Sequence, residues 1–576
     1  MSGRLQSMLS NRAATAIREA LGVDADPDLR ATTDARFGDY QINGVLPLAK
    51  QLRENPRALA TRVVEALDLG ESCEPPEIAG PGFINLRLKP QWLAAQLQGA
   101  LGDERLGITP VDAPESIVID FSSPNVAKRM HAGHLRSTII GDAIARTLRF
   151  LGHNVIGDNH VGDWGTQFGI LLWAWERHAD EAALERDPIG ELERLYKLGS
   201  EASRGDETVA AACRAELAAL QQGDAARKAL WERFVAISRA DAEAIYERMN
   251  VSFDTWHGES FYHDDLPGIV ESLQSKGLAR ESEGAIAVFF EDIENMADKP
   301  FLIRKSDGAF LYATTDLATL NYRLKNYEPS RVIYVVDVRQ SLHFNQLFET
   351  FRRMGNQLEL SHVGFGMMLG ADGRPFRTRD GGTITLSALL DEAESRILPK
   401  VEEKWPESSS EERSGIASQV GIGAVKYADL SHNLTTDYRF DWDKLLAADG
   451  NTGPYLQYTV VRLRSVLREY EARFGETFVP AGTEVHLGEP EEVALAKAVL
   501  QLGDTLDTVS RTLRPHFLCD AVYGIARSFN PFYAKCSILG APDEATRSSR
   551  LALCHATVSA MEIGLSCLNI PIVEKM

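Results

Sequence analysis

His131 and His134 stand three residues apart around Ala132 and Gly133, where a polar turn gives way to helical spacing. A helix start offers unpaired backbone N–H groups and the positive end of the macrodipole. Two imidazoles there, beside a glycine that permits close approach, suit a triphosphate. Two plainer readings stay open: one histidine caps the helix while the other packs, or the pair ligates zinc. No nearby Cys or Glu completes a zinc ligand set at a familiar spacing. Residues 128–149 also hold Lys128, Arg129, Arg136, Arg146 and Arg149 against the single acid Asp142, a basic island in a chain of net charge −21. That overall charge argues against bulk, non-specific nucleic-acid binding, which needs many cations facing phosphate, and leaves room for a local basic groove.

Two further stretches have the composition of ligand loops. Asp158 to Gly169 is a glycine-spaced polar loop at the end of an expected strand, where a parallel sheet meets ligand; a plain connector is the alternative. Gly370 to Gly382 joins four glycines to three arginines, suiting a loop that closes over phosphates or an ordinary surface loop.

The elements that must position these residues follow from periodicity. Ser116 to Phe121 is an apolar, β-branched strand, and Leu135, Ile139, Ile140, Ile144 and Leu148 form one helical stripe after the turn. His153–Ile156, Arg331–Asp337 and Ser361–Gly366 add strands separated by helical spacing, which favours a parallel sheet. Val251–Asp254 and Ala285–Phe290 read as strands too, and Ile303–Tyr312 as a hairpin around Asp307-Gly308. Residues 170–250 are rich in Ala, Leu, Glu and Arg, a helical insertion. Ahead of the sheet, helical spacing covers Leu5–Leu21 and Val45–Leu67, broken at Asn55-Pro56, and Phe83–Leu88 reads as a strand. Beyond Ser395 the strands stop, and from Thr452 the chain reads as amphipathic helices. Domains are expected at 1–112, 113–440 and 441–576, with Thr109–Glu115 a linker.

At 576 residues with 44% hydrophobic content the chain can fill several cores. No stretch approaches the ~20 apolar residues of a membrane helix, and the first residues lack a basic end followed by an apolar core, so no membrane partner and a cytoplasmic protein are expected. The six cysteines are scattered without a C-x-x-C pair, as expected of reduced thiols.

The segments SSPNVAKRMHAGHLRSTIIGD, NHVGDWGTQFG, FLYATTDLATLNYR, RQSLHFNQ, GMMLGADGRPFRTRDGGTI and the ending GLSCLNIPIVEKM occur in that order, behind FGDYQINGVLPLAK and PGFINLRL. The ordered set resembles the class I aminoacyl-tRNA synthetases, and among them the arginine-specific members. The resemblance implies a multidomain α/β protein: a Rossmann-type parallel-sheet catalytic core with the helical insertion, an N-terminal α/β module for the tRNA elbow, and a C-terminal all-α helical bundle for the anticodon. It implies L-arginine, ATP (with Mg²⁺) and the tRNA for arginine as partners, an arginyl-adenylate intermediate, and a monomer.

By the same resemblance His131, His134 and Lys128 are catalytic, and Pro124, Gly133, Arg377 and Arg379 bind ATP. Asp120, Asn125, Tyr312, Asp316 and Gln340 bind arginine: Asp316 and Tyr312 the guanidinium, Asn125 and Gln340 the head group, Asp120 either end. Phe376-Arg377-Thr378-Arg379 stands where most class I enzymes carry K-M-S-K, a departure that shifts the phosphate role to Lys128, since arginine does not replace lysine point for point. Tyr455, Tyr458 and Phe532 are candidates for stacking anticodon bases. Two other functions are weighed. A small-molecule nucleotidyltransferase with an H-x-G-H motif fits poorly with the long helical C-terminal region. A catalytically silent RNA-binding paralogue fits poorly with intact His131, His134, Lys128 and Asp316.

Overall fold

Ile117, Val118 and Ile119 are all 0% exposed, the mark of a strand buried on both faces. They belong to β1 (Ser116–Asp120), which continues through α1 (Ala132–Phe150) to β2 (Asn154–Asp158), paired parallel to β1. In the computed structural model, which describes residues 4–32, 34–370, 372–374, 376 and 384–576, β3 (Arg331–Asp337) lies on the other side of β1 and β4 (Glu359–Phe365) outside it. The order is β4-β3-β1-β2, all parallel. The chain thus leaves β1 in one direction and β3 in the other. That reversal opens a crevice at the carboxyl ends of β1 and β3, where open parallel sheets receive ligand.

This sheet belongs to a compact unit spanning Val111–Leu446. Five helices between Thr166 and Arg248 make the insertion, the last being α2 (Ala225–Arg248), around a core that includes Phe168, Leu171, Leu192, Leu195 and Phe234. Val251–Asp254 is not a strand. The Asp254 and Thr255 N–H groups both donate to the Gly157 carbonyl, and only Asp158 and Thr255 form a bridge, so the segment runs beside β2 without making a ladder. Strands Ala279–Ser282, Ala285–Val288 and Phe301–Arg304 form an antiparallel sheet. The Asp307-Gly308 turn closes with one Arg304–Phe310 bridge, because α3 (Tyr312–Tyr327) begins before a second arm extends. After β3 come α4 (Ser341–Arg353) and, past β4, α5 (Leu386–Lys404). One strand falls beyond Ser395 after all: Tyr438–Arg439 pairs parallel with Met368–Leu369, two residues that no periodicity reveals.

The basic island is not a basic groove. Arg129 pairs with Asp187, Arg136 with Asp429 and Arg149 with Asp254, acids far away in sequence, while Arg146 pairs with Asp142 one turn back, so all four arginines are neutralised. Arg136 is the deepest. At 1% exposure its Nε donates to Asp429 (3.2 Å) and its Nη1 to the Gly366 carbonyl (2.7 Å), tying α1 to the end of β4. Asp429→Ala leaves that cation buried and unpaired, and is expected to cost about 3–5 kcal/mol of stability, measured by denaturant unfolding.

A second compact unit combines Met1–Pro110 with Ala447–Met576. Its N-terminal part is a four-stranded sheet, including Tyr40–Ile42 and Phe83–Leu86, with helices Leu5–Leu21, Val45–Leu52 and Pro56–Ala66. Asn55 caps the last of these by accepting from the Arg57 and Ala58 N–H groups. The C-terminal part is a bundle of helices from Gly453 to Cys567. Asp504 of the bundle accepts from the Gln6 (2.8 Å) and Ser7 (3.2 Å) N–H groups and so caps the first helix of the chain. Gln501 donates to the Tyr40 hydroxyl (2.9 Å), and Lys497 pairs with Asp39. All six cysteines are buried and none is in a disulfide. Among the described residues no helix is long and apolar enough to cross a membrane.

Candidate active site

The turn after β1 is strained and held. Ser122 (φ 73°), Ser123 (φ 49°) and Ala127 (φ 62°) are left-handed without being glycine, at a cost of about 1–3 kcal/mol each. Ser122 N–H donates to Ser137 Oγ on α1 (2.8 Å), Ser123 N–H to Asn159 (3.0 Å) and Ala127 N–H to Ser238 on α2 (2.9 Å). Buried Pro124 and exposed Asn125 sit at its tip, bridged to the glycine-spaced loop: Val126 N–H donates to the Gly162 carbonyl and Gly162 N–H to the Pro124 carbonyl, both 3.1 Å. A Cβ on Gly162 would lie 2.4 Å from the Asn125 side-chain oxygen, so that loop is the wall that sets the amide, not a mere connector.

His131 is the N-cap of α1, and the capping reading is geometrically right for both histidines. His131 Nδ1 accepts from the Gly133 N–H and His134 Nδ1 from the His131 N–H, each 3.0 Å. A ring nitrogen that accepts carries no proton. In the neutral form each imidazole therefore holds its hydrogen on Nε2 and has that donor left to offer a ligand. Protonation is opposed by the same geometry: burial, followed by the neighbouring His131 ring, pushes His134 down to about 3, and burial with the Lys128 charge lowers His131. The rings lie against each other with centroids 4.0 Å apart and planes tilted by 35°, and a Cβ on Gly133 would meet His131 Cε1 at 2.8 Å. Backbone bonds between Ala132 N–H and the Ile384 carbonyl (3.0 Å) and between Leu386 N–H and the Met130 carbonyl (2.8 Å) brace the motif against the start of α5. Lys128 is exposed, its Nζ 4.9 Å from the Tyr196 ring centroid. Arg377 and Arg379 lie outside the described residues.

The other end of the crevice is acidic. Tyr312 opens α3 and is 62% exposed; one turn on, Asp316 Oδ2 meets His343 Nε2 of α4 at 2.5 Å. Glu259 joins them. Burial, then the Asp316 and Asp163 charges, push its carboxyl up to about 8, and Glu259 and Asp316 in turn act on the Tyr312 hydroxyl. Asp163 is fixed by Ser260, whose N–H (2.8 Å) and hydroxyl (2.7 Å) both donate to it. Nothing in motif spacing singles out Glu259, which opens the short 3₁₀ helix Glu259–Asp265; only the fold brings it to α3. Gln340 is exposed at the turn between β3 and α4.

Two expected site residues are placed elsewhere. Asp120, 4% exposed, gives one oxygen to Arg323 of α3 (2.6 Å) and accepts from Ser123 Oγ (3.0 Å) at the other, so it lies beneath the crevice with both oxygens engaged. In the C-terminal bundle Phe532 is 0% exposed and belongs to the core, so it has no face for a base. Tyr458 is 40% exposed, and Tyr455 accepts from Asn530 at 2.8 Å.

A parallel sheet whose switch point carries a capped H-x-G-H pair on one side and an acid cluster on the other is the site expected from the resemblance to class I aminoacyl-tRNA synthetases. In agreement, residues 96–442 match the family of class I tRNA synthetases (R), catalytic domain, residues 5–88 the arginyl tRNA synthetase N terminal domain, and residues 456–576 the DALR anticodon binding domain. The chain is 45% identical to the arginine–tRNA ligase of Proteus mirabilis and 46% to that of Pectobacterium carotovorum, each over 99% of this chain and 100% of the relative. It superposes on Plasmodium falciparum arginyl-tRNA synthetase with a TM-score of 0.85 at 25% identity, covering 100% of both chains. The Thermus thermophilus arginyl-tRNA synthetase shares the fold, with a TM-score of 0.83 at 24% identity over 99% of this chain and 100% of that one. The chain belongs to the arginine–tRNA ligase family.

Proposed function

We propose that the crevice joins L-arginine to ATP, releasing pyrophosphate, and then passes the arginyl group to a ribose hydroxyl of the terminal adenosine of the tRNA for arginine, releasing AMP. The observation that carries this reading is the pairing of a neutral double Nε2–H donor with an acid cluster at opposite sides of one switch point. A guanidinium presents five donors in a planar fork, which Asp316, Glu259 and the Tyr312 hydroxyl are placed to accept. Asn125 and Gln340 take the amino-acid head group, while Asp120 supports the floor rather than the ligand.

Attack of the arginine carboxylate on the α-phosphate forms the carboxyl–phosphate bond and breaks the bond to pyrophosphate. Negative charge then grows on phosphate oxygens, and the catalytic task is positioning plus stabilisation of that charge. His131 and His134 supply preset N–H donors, Gly133 the close approach, Pro124 the wall, and Lys128 the mobile cation; Arg377 and Arg379 add charge to the phosphates. Mg²⁺ enters as the ATP complex. Among the described residues, the one group of acids and histidine close enough to share an ion is Asp120, Asp158 and His160, and it fits a protein-bound metal poorly because Arg323 already bridges both carboxylates at 2.6 Å. The C-terminal bundle reads the anticodon through Tyr455 and Tyr458, the N-terminal module holds the tRNA elbow, and the protein works as a cytoplasmic monomer.

Pyrophosphate exchange with each amino acid, with and without total tRNA, tests the reading. Exchange specific to arginine supports it; exchange independent of arginine, or none with tRNA present, refutes it. A pH dependence follows as well. Guanidinium binding favours ionised Glu259, and burial beside Asp316 and Asp163 keeps that group protonated below about 8. The arginine KM is therefore expected to fall about fivefold from pH 7 to 8, as expected for one carboxyl that must lose its proton, and to flatten above. Steady-state kinetics across that range checks it, and Glu259→Gln is expected to abolish the slope.

A further inference from the structure

Arg323 is 0% exposed and three turns along α3 from Tyr312, with Asp316 between them on the same side of the helix. Its Nη2 donates at 2.6 Å to Asp120 and at 2.6 Å to Asp158. Those aspartates are the last residues of β1 and β2 and sit opposite each other in register. Each is held again from its other oxygen. Ser123 Oγ donates to Asp120 (3.0 Å), fixing the left-handed turn that presents Asn125, and Thr255 Oγ1 donates to Asp158 (2.6 Å). The guanidinium also lies 5.4 Å from the ring centroid of Tyr334, the β3 residue paired with Asp120.

One buried cation therefore joins the helix that carries Tyr312 and Asp316 to the strand and turn that carry Asn125. We infer that Arg323 is a positioning residue for arginine: it sets the separation between the guanidinium acceptors on α3 and the head-group contact on the β1 turn, and it occupies Asp120 and Asp158, which would otherwise offer a guanidinium a rival pair of carboxylates. The inference rests on the assignment of Asp316 and Asn125 to opposite ends of the substrate.

Two effects follow from this geometry. Without Arg323, α3 loses its tie to the sheet edge, and a displacement of about 1 Å at a reacting centre costs about 10² in rate. The freed dyad also draws the substrate guanidinium into an unproductive register. Both effects fall chiefly on arginine, because the ATP donors His131, Gly133 and His134 belong to the start of α1, and of the residues assigned to ATP Pro124 alone shares the tip of the turn with Asn125. A purely structural salt bridge has no such selectivity.

The test is pyrophosphate exchange with full-length Arg323→Ala and Arg323→Lys, with tRNA present. Arg323→Ala is expected to lower kcat/KM for arginine by about 10² with ATP KM unchanged, and millimolar guanidinium is expected to restore part of the kcat by refilling the dyad. Guanidinium is expected only to inhibit the unsubstituted enzyme. Should Arg323→Ala fail to fold, Arg323→Lys carries the test, because it keeps the charge and loses the fork; an intermediate loss confined to arginine is expected. Unchanged arginine kinetics in Arg323→Lys, or ATP KM rising in parallel with arginine KM, overturns the inference. Asp316→Ala is run alongside: if it alone leaves arginine KM unchanged, the assignment of the pocket is what fails.

Discussion

Asp316→Ala is expected to raise the arginine KM by about 10²–10³ with a much smaller change in kcat, because it removes a charge-assisted contact made in both the ground and the transition state. The carboxylate is preset for the task. His343 engages its Oδ2 at 2.5 Å, which orients the group from the side of α4. Losing it leaves a guanidinium partly desolvated in the crevice with fewer acceptors than donors, and unmatched polar groups carry the larger part of the cost. Asp316→Asn keeps the shape and one acceptor and is expected to fall between. Arginine titrations of the exchange rate at saturating ATP measure both, and a near-normal KM in Asp316→Ala would remove the residue from the pocket.

Lys128→Ala is expected to lower the rate of adenylate formation by about 10²–10³ at saturating substrates while the tRNA Kd barely moves. The four arginines around Lys128 are committed to Asp187, Asp429, Asp142 and Asp254, so they have little charge to spare for phosphate. Lys128 stands over an aromatic ring on an exposed turn, from which a flexible stem can reach. Lys128→Arg is expected to recover only part of the rate, since a planar fork does not follow the same path. Single-turnover measurement of adenylate, beside filter binding of tRNA, separates the two effects; a defect confined to tRNA binding refutes the phosphate role.

The elements with strong periodicity were legible in the sequence. The four strands of the catalytic sheet and the stripe of α1 are set by burial, which acts on residue type at fixed spacing. Val251–Asp254 misled because a β-branched and aromatic composition suits any half-buried edge, and here the backbone bonds to Gly157 are too few for a ladder. Residues named by motif, such as His131, His134, Asn125, Tyr312 and Asp316, gather at one crevice. What escaped is pairwise and long-range. The partners of Arg136 and Arg323 lie hundreds of residues away or on other strands, and nothing local in composition distinguishes a neutralised arginine from a free one. The resemblance alone assigns Asp120 to arginine, and the Arg323 guanidinium that engages it is invisible to spacing. Glu259 was missed for the converse reason, being defined by the carboxylates around it and not by its neighbours in the chain.

The closing of the first helix by Asp504 has a consequence for biogenesis. A ribosome releases residues 1–110 first, yet their compact unit also requires 447–576, including the side chain that satisfies the Gln6 and Ser7 amides. The intervening unit, whose sheet is complete once β4 emerges, folds in the meantime within a loop of more than three hundred residues. Closing such a loop costs little more entropy than closing one half as long, about 0.6 kcal/mol per doubling, but it takes time, during which the N-terminal module waits with unmatched surface. Residues 1–110, made before residues 447–576, are thus finished only together with them.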